Sequence, residues 1–252
     1  MNGKADLVFL HGWAMGPEVW VCQEKYFSRN RVIKVNYHKG VYDALVGNDI
    51  SPYAAAALEV INRETDGPVI LFGWSLGAMV ALELAALMQR KIAGLVLAGG
   101  TARFTRTAGY DGGLPGVLVE RMKKRLTQNP GRTLEGFYCQ MFAPGEQEEG
   151  IYKQLQLEML SRGPAWSGEE LAAGLDFLMN RDLRRYLNNI ETPCLIIHGE
   201  RDEICPSAAG RYLHENLKGS RFQLMPGCGH MPFFSRPVIF NERLRRWMDT
   251  LD

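Results

Sequence analysis

Five consecutive residues, Gly73-Trp74-Ser75-Leu76-Gly77, restrict this chain more than any other stretch. They follow a continuous apolar run, Val69-Ile70-Leu71-Phe72, and lead directly into Ala78-Met79-Val80-Ala81-Leu82-Glu83-Leu84, which reads as a helix. A strand that turns abruptly into a helix leaves no room for side chains next to the corner, and the Gly-x-Ser-x-Gly spacing places glycines on both sides of a serine. A serine at such a corner takes strained backbone angles and stands at the end of a sheet. The helix that follows offers unpaired N–H groups and the positive end of its dipole to a developing oxyanion. Gly and Ser are common, so the spacing acquires meaning from the strand before it and the helix after it.

The rest of the chain supplies a matching frame. Short β-rich runs recur at 7–10, 32–35, 69–72, 95–97, 194–197 and 221–224, bounded by turn residues. Helical patterns fall between or after them at 52–64, 77–90, 206–217 and 236–250. Short continuous apolar strands alternating with helices predict an α/β fold with a mostly parallel central sheet covered on both faces. From 103 to 189 the β-type runs vanish and four helices are expected, at 114–128, 131–143, 147–161 and 167–180. In the second, Leu134, Phe137, Tyr138, Met141 and Phe142 fall on one helical stripe. The expected organisation is a core of 1–102 and 190–252 with residues 103–189 inserted as a helical cap; a separate helical domain without a role in the site is the alternative.

A serine hydroxyl needs a base, and the base needs an orienting acid. His11, His38, His198, His214 and His230 are the candidates. His230 lies in the glycine-rich loop Pro226-Gly227-Cys228-Gly229-His230, after the last strand, where a parallel sheet presents ligand-handling groups. Asp202 follows the strand 194–197 in the same way, with Glu200 and Glu203 as close competitors. His11-Gly12-Trp13 ends the first strand, and a sharp turn there would bring the N–H of Trp13 toward that of Leu76 as a pair of oxyanion donors.

Composition narrows the chemistry further. With 46% hydrophobic and 23% charged residues, the chain has the composition of a packed globular protein. Lys+Arg 29 against Asp+Glu 28 leaves +1, so no global field favours nucleic acid or an anionic membrane. The longest stretch without formal charge, 67–82, is too short to span a bilayer, and no secretory leader is legible at Met1–Asp6; a cytoplasmic monomer is the expectation. Cys22, Cys139, Cys194, Cys205 and Cys228 are scattered and odd in number, which fits reduced thiols rather than a disulfide framework or zinc site. No metal-ligand spacing, phosphate loop or dinucleotide fingerprint is present, so no metal or cofactor is expected.

Taken together, H-G-W near the start, G-W-S-L-G, the helical insertion, H-G-E-R-D and G-C-G-H resemble an α/β-hydrolase with a cap. More narrowly the chain resembles the BioH-type pimeloyl-[acyl-carrier protein] methyl ester esterases of biotin synthesis, through Trp13, Trp74 and the segments 174–178 and 182–184. The resemblance implies Ser75 as nucleophile, His230 as base, Asp202 as its partner, and the N–H groups of Trp13 and Leu76 as the oxyanion hole. It implies that Phe137, Tyr138 and Met141 line an acyl channel, and that an acidic carrier protein docks on cap cations, here Arg132 and Lys153. Gly136 and Glu149 stand where further arginines are expected, and the cluster Arg121, Lys123, Lys124, Arg125 and Arg132 could compensate or be a solvated helix face. Residues 103–190 are nearly neutral, with 12 basic and 11 acidic side chains. Asn36-Tyr37-His38-Lys39-Gly40 departs from the acidic, glycine-rich loop of many relatives, and Ala78 replaces a frequent third glycine. Rival readings are a short-chain carboxylesterase or thioesterase with no carrier partner, a carbon–carbon bond hydrolase, and a non-catalytic ligand-binding protein of the same fold.

Overall fold

The computed structural model describes residues 5–37, 50–88, 91–158 and 166–251. Met1–Lys4 and His38–Gly40, with the expectations attached to them, lie outside the described residues, as do the last residues of the helices expected at 77–90 and 147–161.

Among the described residues six parallel strands form one sheet: β1 (Asp6–Leu10), β2 (Val32–Val35), β3 (Val69–Trp74), β4 (Ile92–Ala98), β5 (Cys194–Gly199) and β6 (Arg221–Met225). Their order across the sheet is β2-β1-β3-β4-β5-β6, so the chain reverses its direction of winding between β1 and β3. At such a switch point the loops after two neighbouring strands diverge and leave a crevice outside their carboxyl ends. The loop after β1 carries His11-Gly12-Trp13, and the corner after β3 carries Ser75. Every residue of β3 and β5 is buried, as expected for strands covered on both faces.

The helices flanking the sheet include α1 (Val21–Tyr26), α2 (Pro52–Glu64) and α3 (Leu76–Leu87). Ser51 caps α2 by accepting the Ala54 N–H at 3.1 Å, and Pro52 fits the first turn, where an N–H would have no partner anyway. Between β4 and β5 lie α4 (Gly116–Gln128), α5 (Pro130–Gln140), α6 (Pro144–Glu148), α7 (Ile151–Glu158) and α8 (Gly168–Asn180). Then come α9 (Ser207–Asn216), α10 (Pro232–Ser235) and α11 (Pro237–Met248). Among the described residues no helix is long and apolar enough to cross a membrane.

The helical block departs from the expected boundaries in two places. The helix expected at 131–143 ends at Gln140, because Pro144 forces Ala143 into extended backbone and the carbonyl of Met141 is taken by His230. The helix expected at 147–161 is broken by Gly150 at φ +77, which separates α6 from α7. The helix expected at 236–250 is found as α11, opened by Pro237, and the four-residue α10 opened by Pro232 precedes it. The short helix α1 has no counterpart in the sequence reading, being only six residues long with one fully buried side chain.

Candidate active site

Ser75 caps the junction of β3 and α3 at φ 55 and ψ −116, a conformation that non-glycine residues rarely adopt. Such strain costs on the order of 1–3 kcal/mol and persists only where the surroundings enforce it. Here the Ser75 N–H donates to the Ala98 carbonyl of β4 at 3.1 Å, and the elbow is wedged against the end of β1. A Cβ on Gly77 would strike the Leu10 carbonyl oxygen and come within 2.8 Å of that of His11. Any side chain there would therefore push α3 off the first strand. Ala78, by contrast, has room because its Cβ faces Gly100, where an added Cβ would lie 2.7 Å away. That explains how the corner tolerates alanine in place of a third glycine.

His230 is fully buried and held at three points. Its Nδ1 lies 2.7 Å from Asp202 Oδ2, its N–H donates to the Met141 carbonyl at 2.7 Å, and its carbonyl accepts the Trp74 indole N–H at 2.9 Å. The last contact ties residue 230 to the neighbour of Ser75, and the two rings lie 5.4 Å apart. Among the described residues Nε2 of His230 is buried with no hydrogen-bond partner. Asp202 Oδ1 accepts the N–H groups of Ile204 at 2.9 Å and Cys205 at 2.8 Å. Burial by itself would raise the Asp202 carboxyl, but His230 and the side chain of His198 outweigh it and hold the group at about 2. Asp202 is thus the acid brought onto His230. Glu200 is exposed and accepts the Gly227 N–H at 3.0 Å, and Glu203 points to the surface.

His11 packs under Tyr37 at 4.6 Å between ring centroids, and His214 pairs with Ser220 Oγ at 2.9 Å on α9. His198 lies 3.3 Å from Asp202.

Leu76 opens α3, so its N–H is among the amides a helix leaves without an intrahelical partner. Trp13 lies in the turn after β1, followed by Ala14 at φ 58. Its indole N–H donates to the Leu171 carbonyl of α8 at 3.0 Å, and its ring meets Phe137 of α5 edge-on at 4.8 Å. Tyr138 donates its hydroxyl to the Ala14 carbonyl at 2.8 Å, and burial, assisted by Tyr152, pushes that hydroxyl up to about 12. Met141 is fully buried. Phe137 and Tyr138 of α5 thus clasp the turn that carries Trp13, and Met141, just beyond its end, holds the loop that carries His230.

Two cavities flank α5. The larger, about 1190 Å³, runs from Ala14 and Met15 past Leu134, Tyr138 and Leu171 to Trp166. The smaller, about 720 Å³, lies between α4 and α5, reaches Phe137 and Ile204, and is bordered by Arg121, Arg125 and Arg132. Lys123 is engaged by Asp176 at 2.6 Å, while Lys124 and Lys153 are exposed and border neither cavity. The cationic cluster legible in the sequence thus resolves into three arginines around one opening.

Glu146 escaped the sequence reading. This buried carboxylate accepts the Ala143 N–H at 2.9 Å and the Gly229 N–H at 2.8 Å, joining the start of α6 to the His230 loop. Its only sequence signal is a carboxylate in the first turn after Pro144, a pattern suited to helix capping.

Comparison with known proteins agrees with this architecture. Residues 7–243 match the model of the alpha/beta hydrolase family. A pimeloyl-[acyl-carrier protein] methyl ester esterase of Nitrosomonas europaea is 34% identical over 95% of this chain and 93% of its own. One of the same name from Aromatoleum aromaticum is 31% identical over 93% of this chain and 94% of its own. Among solved structures, an esterase from Exiguobacterium antarcticum superposes with a TM-score of 0.83 at 25% identity, covering 99% of this chain and 93% of that one. A bromoperoxidase from Bacillus anthracis superposes with a TM-score of 0.86 at 21% identity over 98% of this chain and 93% of that one, a likeness of fold. The switch-point sheet, the strained serine corner and the matched span of sequence together make this chain a member of the α/β hydrolase family.

Proposed function

We propose that the protein is a serine carboxylesterase whose substrate is the methyl ester of pimeloyl-[acyl-carrier protein], the substrate in the names of its relatives. One observation carries the catalytic part: His230 is fixed by Asp202 at 2.7 Å while its other ring nitrogen is buried, unpartnered, beside the serine corner. Asp202 fixes the tautomer with Nδ1 protonated, leaving Nε2 as the base. Nε2 takes the Ser75 proton as Oγ adds to the ester carbonyl carbon, and the N–H groups of Trp13 and Leu76 hold the oxyanion. The proton passes from His230 to the departing methanol, leaving an acyl-serine. Water then attacks that acyl group by the same base and returns Ser75.

In this reading residues 103–189 act as a cap over a core of 1–102 and 190–252. Phe137 and Tyr138, which border the cavities beside α5, line the acyl path, whereas Met141 is fully buried and borders neither cavity, and the cations of α4, α5 and α7 receive an acidic carrier. Support for the carrier comes from Arg121, Arg125 and Arg132, which surround one opening with an apolar floor. Turnover of the carrier-borne methyl ester against free dimethyl pimelate tests the reading. The expected result is a preference for the carrier-borne ester that fades with added salt. Equal turnover at all salt concentrations would leave a general short-chain esterase instead.

A further inference from the structure

Asp202 serves two histidines, and the second has no part in the scheme above. His198, the residue before the last of β5, is completely buried. Its Nε2 lies 2.7 Å from the Cys205 carbonyl oxygen and 3.3 Å from Asp202 Oδ2, the same oxygen that holds His230. A carbonyl oxygen can only accept, so Nε2 carries the proton. Nδ1 of His198 is buried and has no hydrogen-bond partner among the described residues. It faces Gly210 of α9, where an added Cβ would lie 2.6 Å from it and 2.9 Å from Phe222 of β6. Nothing on that side offers an acceptor, so the ring is held in a single neutral tautomer with its N–H directed at the turn that carries the acid.

We propose that His198 is a positioning residue: its Nε2–H pins the Cys205 end of the Asp202 turn and offsets part of the negative charge that Oδ2 presents to His230. The proposal rests on Asp202 and His230 being the acid and base of the esterase. The geometry gives each contact a distinct consequence. Pinning the Cys205 carbonyl keeps the Ile204 and Cys205 amides on Oδ1, which fixes the direction in which Oδ2 points. The N–H dipole beside Oδ2 weakens that oxygen as an acceptor, so the charged form of the catalytic imidazole is favoured less than an unshared carboxylate would favour it.

The other titratable groups around the ring are few. Cys205 is raised by burial and stays neutral across an esterase assay, Arg211 and His214 of α9 lie against the ring of Phe222 at 5.4 and 6.1 Å, and Glu146 accepts the amide that precedes His230. Residue 210 of α9 and residue 222 of β6 bring no charge.

Two substitutions test the assignment. His198→Phe fills the site without an N–H, and His198→Gln retains a donor near the Nε2 position. For His198→Phe the expected result is a fall in kcat of about ten-fold with KM unchanged, the worth of one lost hydrogen bond. The acid limb of the kcat/KM profile should also move to higher pH by about half a unit, because an unshared Oδ2 favours protonated His230. His198→Gln should return the limb toward its original position. A folded His198→Phe enzyme with an unmoved acid limb would overturn the proposal. So would an imidazole nitrogen NMR spectrum of the unsubstituted enzyme showing His198 protonated at Nδ1, a measurement that needs no variant to fold. Asp202→Asn and His230→Ala, assayed alongside, separate the levels: if they retain turnover the triad reading fails, and if they lose it while the His198→Phe profile stays put, only this inference fails.

Discussion

The two ends of the proposed proton transfer are built by different parts of the molecule. Ser75 is fixed by the sheet: a β4 carbonyl takes its amide, and the β1 carbonyls leave no space at Gly77. His230 is fixed from two sides: Asp202 and Trp74 hold it from the sheet, while in the helical block Met141 accepts its N–H and Glu146 accepts the N–H of the preceding glycine. A serine set in the sheet and an imidazole held in part by the helices between β4 and β5 mean that those helices contribute to the geometry of the proposed triad. It also means that damage to the two ends should look different.

The largest effects come from the reacting groups at either end. Ser75→Ala and His230→Ala should each lower kcat on p-nitrophenyl esters by on the order of 10⁶ in a protein that still folds. Asp202→Asn should cost on the order of 10⁴, because it breaks the orientation of His230 while sparing the oxyanion donors. Glu200→Gln should leave turnover near the unsubstituted value, and a large loss there would reassign the acid.

The contrast between the two ends is sharpened by Gly77→Val and Glu146→Ala. Gly77→Val should destabilise the whole domain, by more than about 3 kcal/mol in urea unfolding, because the side chain would collide with backbone of the central sheet. Glu146→Ala should instead lower kcat by roughly ten- to a hundred-fold, the worth of a hydrogen bond to a charged group, with a smaller loss of stability. Glu146→Gln keeps an acceptor and should recover most of the activity. Equal behaviour of Gly77→Val and Glu146→Ala would erase the distinction between a sheet-built and a cap-built end.

The smallest effects belong to the cap surface and to pH. Arg132→Glu should lower turnover of the carrier-borne ester several-fold at low salt, leave a free ester untouched, and lose its effect as salt rises. Asp202, held at about 2, contributes stability that is fully present above the ordinary carboxylate range and is lost as pH falls through its folded value. Denaturant titrations at decreasing pH should therefore show Asp202→Asn losing part of the acid-side slope of the unsubstituted enzyme.

The sheet side of this comparison was open to reading from sequence; on the other side the helices were legible but their contacts with the His230 loop were not. The serine corner, the switch-point strands and the loops carrying Asp202 and His230 are written in local chemistry: apolar runs of strand length, glycines at tight corners, and residues that follow strand ends. Glu200, Asp202 and Glu203 could not be ranked from sequence, because the turn amides of Ile204 and Cys205 decide which carboxylate faces the imidazole. The end of α5 at Gln140 and the inward turn of Glu146 depend on contacts with a loop some 80 residues further along the chain, which periodicity does not record. His198 was legible only as a histidine ending a strand; its contact with the acid appears once the turn closes back on β5.

Reaction with a fluorophosphonate, followed by peptide mapping, tests most directly whether the sheet-held serine and the cap-held imidazole act on one another. The account predicts a single adduct, on Ser75, forming quickly in the unsubstituted protein, more slowly in Glu146→Ala, and not at all in His230→Ala. An unlabelled Ser75 in the folded, unsubstituted protein, or an adduct that forms equally fast without His230, would contradict it.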